Sequence, residues 1–141
     1  MPDPNFQPLS ASEREWVAGV LALGSDAGLD PDDLHGVSEF LDRELAAWLA
    51  EPEHQRPDPN SLINVVGVTV GEHFVRNGFE WRIVTDEFGT DLAVVREPGQ
   101  LPVVPTNLVA KRWSEPEFGW VLPVVSALRD HPGRPTATPE P

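Results

Sequence analysis

Apolar residues recur along this chain with two different periods, and the change from one to the other divides it. Up to residue 78 the steps are three and four. Trp16, Val17, Val20 and Leu21 form a stripe that predicts a helix over residues 12–23. Ser12 and Glu15 have the spacing of a capping box, in which a hydroxyl and a carboxylate satisfy N–H groups at a helix start, and Gly24 is the expected stop. Leu34, Val37, Leu41, Leu45 and Trp48 share one face of a second helix. Asp30 is its expected N-cap, Pro31 its first residue, and Asp32 and Asp33 sit at the positive end of its dipole. Glu39, Asp42, Arg43 and Glu44 fall off the stripe and are expected in solvent, and Pro52 ends the helix.

Residues 51–60 (EPEHQRPDPN) read as a linker behind a helical hairpin over 9–50. A third helix is expected over 61–77, with Gly78 as its stop. Its first half, LINVVGVTVG, is β-branched enough to resemble a strand. Gly67 and Gly71, four apart, place two bare spots on one helical face, where a neighbouring backbone can approach closely.

From residue 79 the period becomes two. Phe79, Trp81 and Ile83 alternate with Glu80 and Arg82, which predicts a half-buried strand over 79–85. A turn at DEFG (86–89) leads to a second strand over 90–96, and EPGQ (97–100) leads to a third over 101–104, which Pro102 marks as an edge. Thr106 is the expected cap of a short helix ending at Trp113, and a last helix is expected over 121–129 with Pro123 in its first turn. The order predicts an α+β fold: an N-terminal helical hairpin, a Gly-x-x-x-Gly helix, a three-stranded antiparallel meander and two C-terminal helices. One domain is expected over 9–130, with a flexible arm at 1–8 and a disordered Pro-rich tail at 131–141.

Composition narrows the function classes. The chain has 141 residues, 40% of them apolar, which suffices for one core. It has no cysteine, so disulfides, thiolate nucleophiles, zinc–thiolate sites and iron–sulfur clusters are excluded. The opening MPDPNFQPLS predicts no secretory signal, and no apolar run reaches the ~18 residues of a membrane span. The expected compartment is the cytoplasm. The net charge of −13 is uneven, with twelve acids against three bases in residues 1–56 and balance after residue 100. Nucleic acid and anionic membranes are therefore poor partners, and a basic protein is a fitting one.

A resemblance is carried by three strings: GVTVGEHFVRNGFEW (67–81), DEFGTDLAV (86–94) and PTNLVAKRW (105–113). Together they resemble the bacterial, mainly actinobacterial, domain of unknown function 3806 family, over about residues 62–128. The shared pattern is a Gly-x-x-x-Gly-Glu helix, a Trp strand, an Asp-x-x-Gly turn and a Pro-x-Asn-x-x-x-Lys-Arg helix. The resemblance implies a small acidic protein and brings no catalytic residue with it.

Candidate chemistry is sparse. There is no G-x-S-x-G, no P-loop and no G-x-G-x-x-G. His73 has Asn77 at i+4 and Thr69 at i−4, not a second histidine, so no metal site or cofactor is expected. The remaining polar constellation is Glu72, His73, Asp86, Glu87, Asn107, Lys111 and Arg112, where Lys111 is the sole lysine. One reading gathers them around a small acidic ligand, held by Lys111, Arg112 and the N–H groups at the helix start beside Asn107, or uses Glu72, His73, Asp86 and Lys111 for acid–base work. The other makes them ordinary ion pairs, such as Glu72 with Arg76. Trp113, Phe118 and Trp120 flank the turn SEPEFG and are a candidate protein-binding patch; the competing reading closes the end of the core with them. The expectation is a protein-interaction module rather than an enzyme. The alternatives are a ligand-binding protein or enzyme and an acidic, immunity-type inhibitor.

Overall fold

The apolar run from Ile63 to Phe74 decides the architecture, because it is buried on nearly every side. A computed structural model describes residues 6–87, 89–96 and 102–130. In it this run forms the middle of α3 (Asn60–Val75), and Val66, Val68, Val70 and Phe74 lose all contact with solvent. A helix that is apolar all round must be enclosed by other elements. On one side Val66, Val70 and Phe74 join Leu34, Val37, Leu41 and Leu45 of α2 (Leu34–Ala50) in the larger core. On the other, Val68 meets Val17 and Val20 of α1 (Ala11–Asp26), with Leu9. The chain then forms β2 (Glu80–Asp86), β3 (Gly89–Val95), α4 (Pro105–Ser114), a wide π-helical turn (Val121–Val125) and α5 (Ser126–Asp130). A two-residue strand, β1 (Phe6–Gln7), precedes α1. The α+β class and the three-stranded antiparallel sheet agree with the sequence reading.

Two bare spots on α3 fix its neighbours. A methyl group at Gly71 would lie 2.1 Å from the Trp81 ring, and one at Gly67 would lie 2.8 Å from the Thr106 Cα. The first glycine of the pair thus admits the backbone of α4. The second admits an indole from the sheet rather than a backbone. Gly24 of α1 plays the same part, facing the Thr69 Oγ1 of α3 at 2.9 Å from an ideal Cβ.

Several boundaries differ from the sequence reading, each for a local reason. The capping box of α1 is Ser10 with Glu13, not Ser12 with Glu15. The Glu13 N–H donates to Ser10 Oγ at 3.2 Å, and the Ser10 N–H donates to Glu13 Oε1 at 2.7 Å. The earlier box wins because it lets Leu9 turn into the core just before the helix. Gly24 does not end α1. The stop is Gly28 at φ +91, while the Leu29 N–H donates to the Gly24 carbonyl at 2.8 Å, a left-handed close that glycine adopts without strain. The N-cap of α2 is Asp33, which accepts from the Gly36 N–H, and Asp30 instead shapes the turn before it by accepting from the Asp32 N–H. The expected linker is tied back: Arg56 donates to the carbonyls of Leu49 and Glu51, and the Trp48 indole donates to the Pro57 carbonyl at 2.8 Å. α1 lies chiefly on α3, whereas α2 packs on the C-terminal turn, so α1 and α2 share the core through α3 rather than as a closed hairpin.

The sheet has the order β1-β2-β3. Trp81 faces Val94 and Ile83 faces Leu92, so these four share the face turned to α1 and α3. The strand expected at 101–104 is reduced to one bridge, Val103 opposite Val94; residue 101 lies outside the described residues. Pro102 and Pro105 bracket it and cannot donate to a ladder, so pairing stops there. The third strand comes from the segment read as an arm, where Phe6 pairs with Val84 and Gln7 with Ile83. Residues 1–5 and the tail 131–141 lie outside the described residues. α4 opens with Pro105 at its start and no side-chain cap, so Thr106 does not cap it. The last helix starts as a π turn, which accommodates Pro123 where a tighter turn would meet its missing N–H and its ring.

These contacts predict opposite signs for two equal substitutions. Gly71→Ala places a methyl in the Trp81 ring and should lower the unfolding free energy by about 1–3 kcal/mol. Gly19→Ala, in α1, meets open space and should raise it by about 0.5–1 kcal/mol. Urea unfolding of both variants checks the pair.

Candidate functional site

The polar end of α3 is the most organised part of the constellation read from sequence. His73 is buried there between two long-range partners. Its Nδ1 lies 2.8 Å from the Pro31 carbonyl and its Nε2 lies 3.1 Å from Arg129 Nη1. A carbonyl only accepts and a guanidinium only donates, so Nδ1 carries the proton and Nε2 accepts. Both nitrogens of the neutral ring are thereby committed. The Asn77 amide donates to the His73 carbonyl at 2.8 Å and closes the helix end. Around this core, Arg76 reaches Asp32 at 2.7 Å and Glu72 at 3.5 Å, the second being the i,i+4 pair expected from sequence. Arg129 grips Asp130 with two hydrogen bonds at 2.8 and 2.9 Å. Arg129's hydrogen bond is the main reason the Asp130 carboxyl titrates below its usual range. A depressed carboxylate pKa means the pair is intact at neutral pH and is lost as pH falls through that lowered value. Arg96 lies over the Phe79 ring at 4.4 Å and donates to the Arg129 carbonyl. These bonds join α3, the turn before α2, and α5; they work as a clasp.

The other predicted ligand-site residues do not join it. Glu72 and His73 stand near the α3–β2 connection, whereas Asp86 is at the far end of β2, opposite Gly89. Six residue steps along the strand carry the chain from Glu80 to Asp86, about 20 Å. Glu87 is exposed beside Asp86 in the same turn. Asn107 is the third residue of α4 and exposed, not a cap. Lys111 and Arg112 close α4 beside the opposite end of α3, where Trp113 meets Trp48 with ring centroids 5.3 Å apart. Lys111 points to solvent. Arg112 stacks over Trp120 at 4.9 Å and lies 3.6 Å from Glu117. Among the described residues, Glu72 and His73 on α3, Asp86 at the far end of β2, and Asn107, Lys111 and Arg112 on α4 stand at separate places in the fold. Among the described residues no three His, Asp or Glu side chains are grouped to hold a metal ion, and no helix is long and apolar enough to cross a membrane.

The aromatic patch is corrected as well. Trp113 is 4% exposed and Trp120 is 2% exposed, so both belong to the core. Of the three, Phe118 alone reaches the surface, at 48%. The turn between them is pinned by Gly119, whose N–H donates to both carboxylate oxygens of Asp42 at 3.1 Å. The polar turn suggested exposure; Trp48 on one side and Arg112 on the other draw the indoles inward.

Sequence reasoning missed the surface of α1. Val17, Val20 and Gly24 face the core, and one residue behind them runs a second stripe, Trp16, Gly19 and Leu23, with the same steps of three and four. This second stripe faces solvent, Trp16 at 45% and Leu23 at 59% exposure. The signal was present in the sequence, but two stripes offset by one residue merge into one broad apolar band. Beside Trp16 lies an apolar hollow of about 230 Å³ lined by Ser12, Glu13, Ile83 and Leu92. A second hollow of about 570 Å³ flanks the other side of α1, between Leu21, Ser25, Leu29, Pro31, Thr69 and Arg76.

A family model described as a domain of unknown function (DUF3806) matches residues 42–122. That span runs from the second half of α2 to the start of the π turn, and α1 lies outside it. No curated protein and no solved structure matches the chain.

A structural role for the clasp has a measurable consequence. His73→Leu removes both long-range hydrogen bonds and leaves the Pro31 carbonyl without its donor, and should cost about 1–3 kcal/mol of stability. Lys111→Met, at an exposed position, should change stability by less than about 0.5 kcal/mol. Chemical denaturation of the two variants side by side tests the assignment.

Proposed function

The chain belongs to the DUF3806 family, a domain of unknown function, and from its own surfaces we propose that it is a non-catalytic protein-interaction module. The observation that carries this reading is the outward stripe of α1. Two large apolar side chains two helical turns apart, Trp16 and Leu23, with the bare Gly19 between them and a hollow beside Trp16, are suited to a partner's side chains, and tryptophan is among the residue types enriched where interfaces bind most strongly. The polar residues support the reading from the other side. His73 is committed at both nitrogens, and the remaining acids and bases are spread along the fold. The charge of −13 favours a basic protein over nucleic acid or an anionic membrane as the partner, and an acidic inhibitor is one form such a module takes. The working compartment in this proposal is the cytoplasm.

The test uses a variant that spares the core. Trp16→Ser with Leu23→Ser alters two exposed positions and should leave thermal stability nearly unchanged. Affinity capture from native lysate, analysed by mass spectrometry, should lose its main partner in the double variant and keep it in Phe118→Ala. A partner set identical for all three proteins would remove α1 from the proposal.

A further inference from the structure

The surface of α1 carries information about the shape and charge of what covers it. We infer that the occupant is an amphipathic helix of another protein, with an apolar stripe bordered by lysine and arginine. This inference rests on the interaction reading above and adds the partner's chemistry to it.

Geometry selects a helix. Trp16, Gly19 and Leu23 repeat with the steps at which one helix meets another along a seam. At Gly19 an added Cβ would meet nothing within 4 Å, so a partner's backbone or a large side chain can come close between the two apolar residues. The hollow of about 230 Å³ beside Trp16 adds a pocket for one more aliphatic side chain, floored by Ile83 and Leu92 of the sheet. From Ser12 to Leu23 the seam is about 16 Å long, three turns of a facing helix.

Charge selects a basic one. At 100° per residue, Glu15 and Asp26 border the seam on its outer side, and Glu13 lines the hollow at its start. Arg14 is the one base of α1, and its guanidinium is turned away to the Leu9 carbonyl at 2.7 Å. A second copy of this chain would bring the same acidic border, so like charges would face each other. A helix bordered by lysine or arginine complements it and gains in encounter rate as well.

The experiment titrates the full chain with synthetic helical peptides of about five turns. One has a leucine stripe bordered by lysine, one the same stripe bordered by glutamate, and one the residues of the first in scrambled order. Calorimetry at physiological salt should show the lysine-bordered peptide binding at least about tenfold more tightly than the other two. Leu23→Ala should weaken that binding about tenfold, while Phe118→Ala leaves it unchanged. Glu15→Lys with Asp26→Lys should reverse the preference toward the glutamate-bordered peptide. Equal binding of all three peptides, binding indifferent to Leu23→Ala, or a wild-type dimer in light scattering that Leu23→Ala dissolves would each overturn the inference, the last by making a second copy the occupant. If the peptide preference fails while capture from lysate still depends on Trp16 and Leu23, the occupant's chemistry falls and the interaction reading stands. If capture is also indifferent to them, both fall.

Discussion

Everything in this fold depends on how closely other elements approach α3. The helix is enclosed because it presents two places without a side chain, Gly67 beneath the backbone of α4 and Gly71 beneath the ring of Trp81. Each glycine weakens the helix by about 1 kcal/mol relative to alanine in isolation. The close packing offsets that cost: with the sheet and α4 seated against it, Val66, Val68, Val70 and Phe74 are sealed from water. Full burial of such side chains is worth about 1.5–3 kcal/mol apiece relative to leaving them exposed. A bulkier residue at either glycine would move α4 or the sheet outward and open both cores, since α3 is the wall between them.

That arrangement also explains where the fold has something left to offer. α3 divides the apolar residues into a large core with α2 and the C-terminal segment, and a small one with α1. The small core needs only one stripe of α1, Val17, Val20 and Gly24, because Gly24 sits so near Thr69 that the two helices close without bulk. The neighbouring stripe of Trp16, Gly19 and Leu23 is left facing water. Several polar residues, by contrast, are used in holding the fold together. His73, Arg129 and the Pro31 carbonyl fasten α5 to the turn before α2, and Asp42 holds the Gly119 turn. The family resemblance lies over the second half of α2, α3, the hairpin and α4. The face we assign to a partner lies before it, on α1.

What was legible in the sequence was local. Helices showed through steps of three and four and through residues that satisfy their ends; the β2–β3 hairpin showed through its alternation. Misreadings came where two local signals competed or where the partner was distant. Two overlapping Ser-x-x-Glu boxes stand at 10–13 and 12–15, and the choice between them was made by Leu9 reaching the core. β1 is two residues long and follows a proline-containing opening, too short for any alternation. His73 finds its partners 42 and 56 residues away, and no spacing rule reaches that far. Trp113 and Trp120 flank a polar turn, which suggested a surface patch, but Trp48 and Arg112 cover them. The spread of the ligand constellation over the fold has a related reason. Glu72 lies on α3 before β2 begins and Asp86 lies at the far end of β2, so the extended strand holds these two apart.

The central claim is that the outward stripe of α1 is the working surface. Hydroxyl-radical footprinting of the chain, alone and in the complex isolated from its native source, tests this directly, because it reads side-chain exposure residue by residue. The account predicts that Trp16 and Leu23 become protected in the complex while Phe118 and Leu122 remain as reactive as in the isolated chain. Protection centred on Phe118 and Leu122, with α1 as reactive as before, would contradict it.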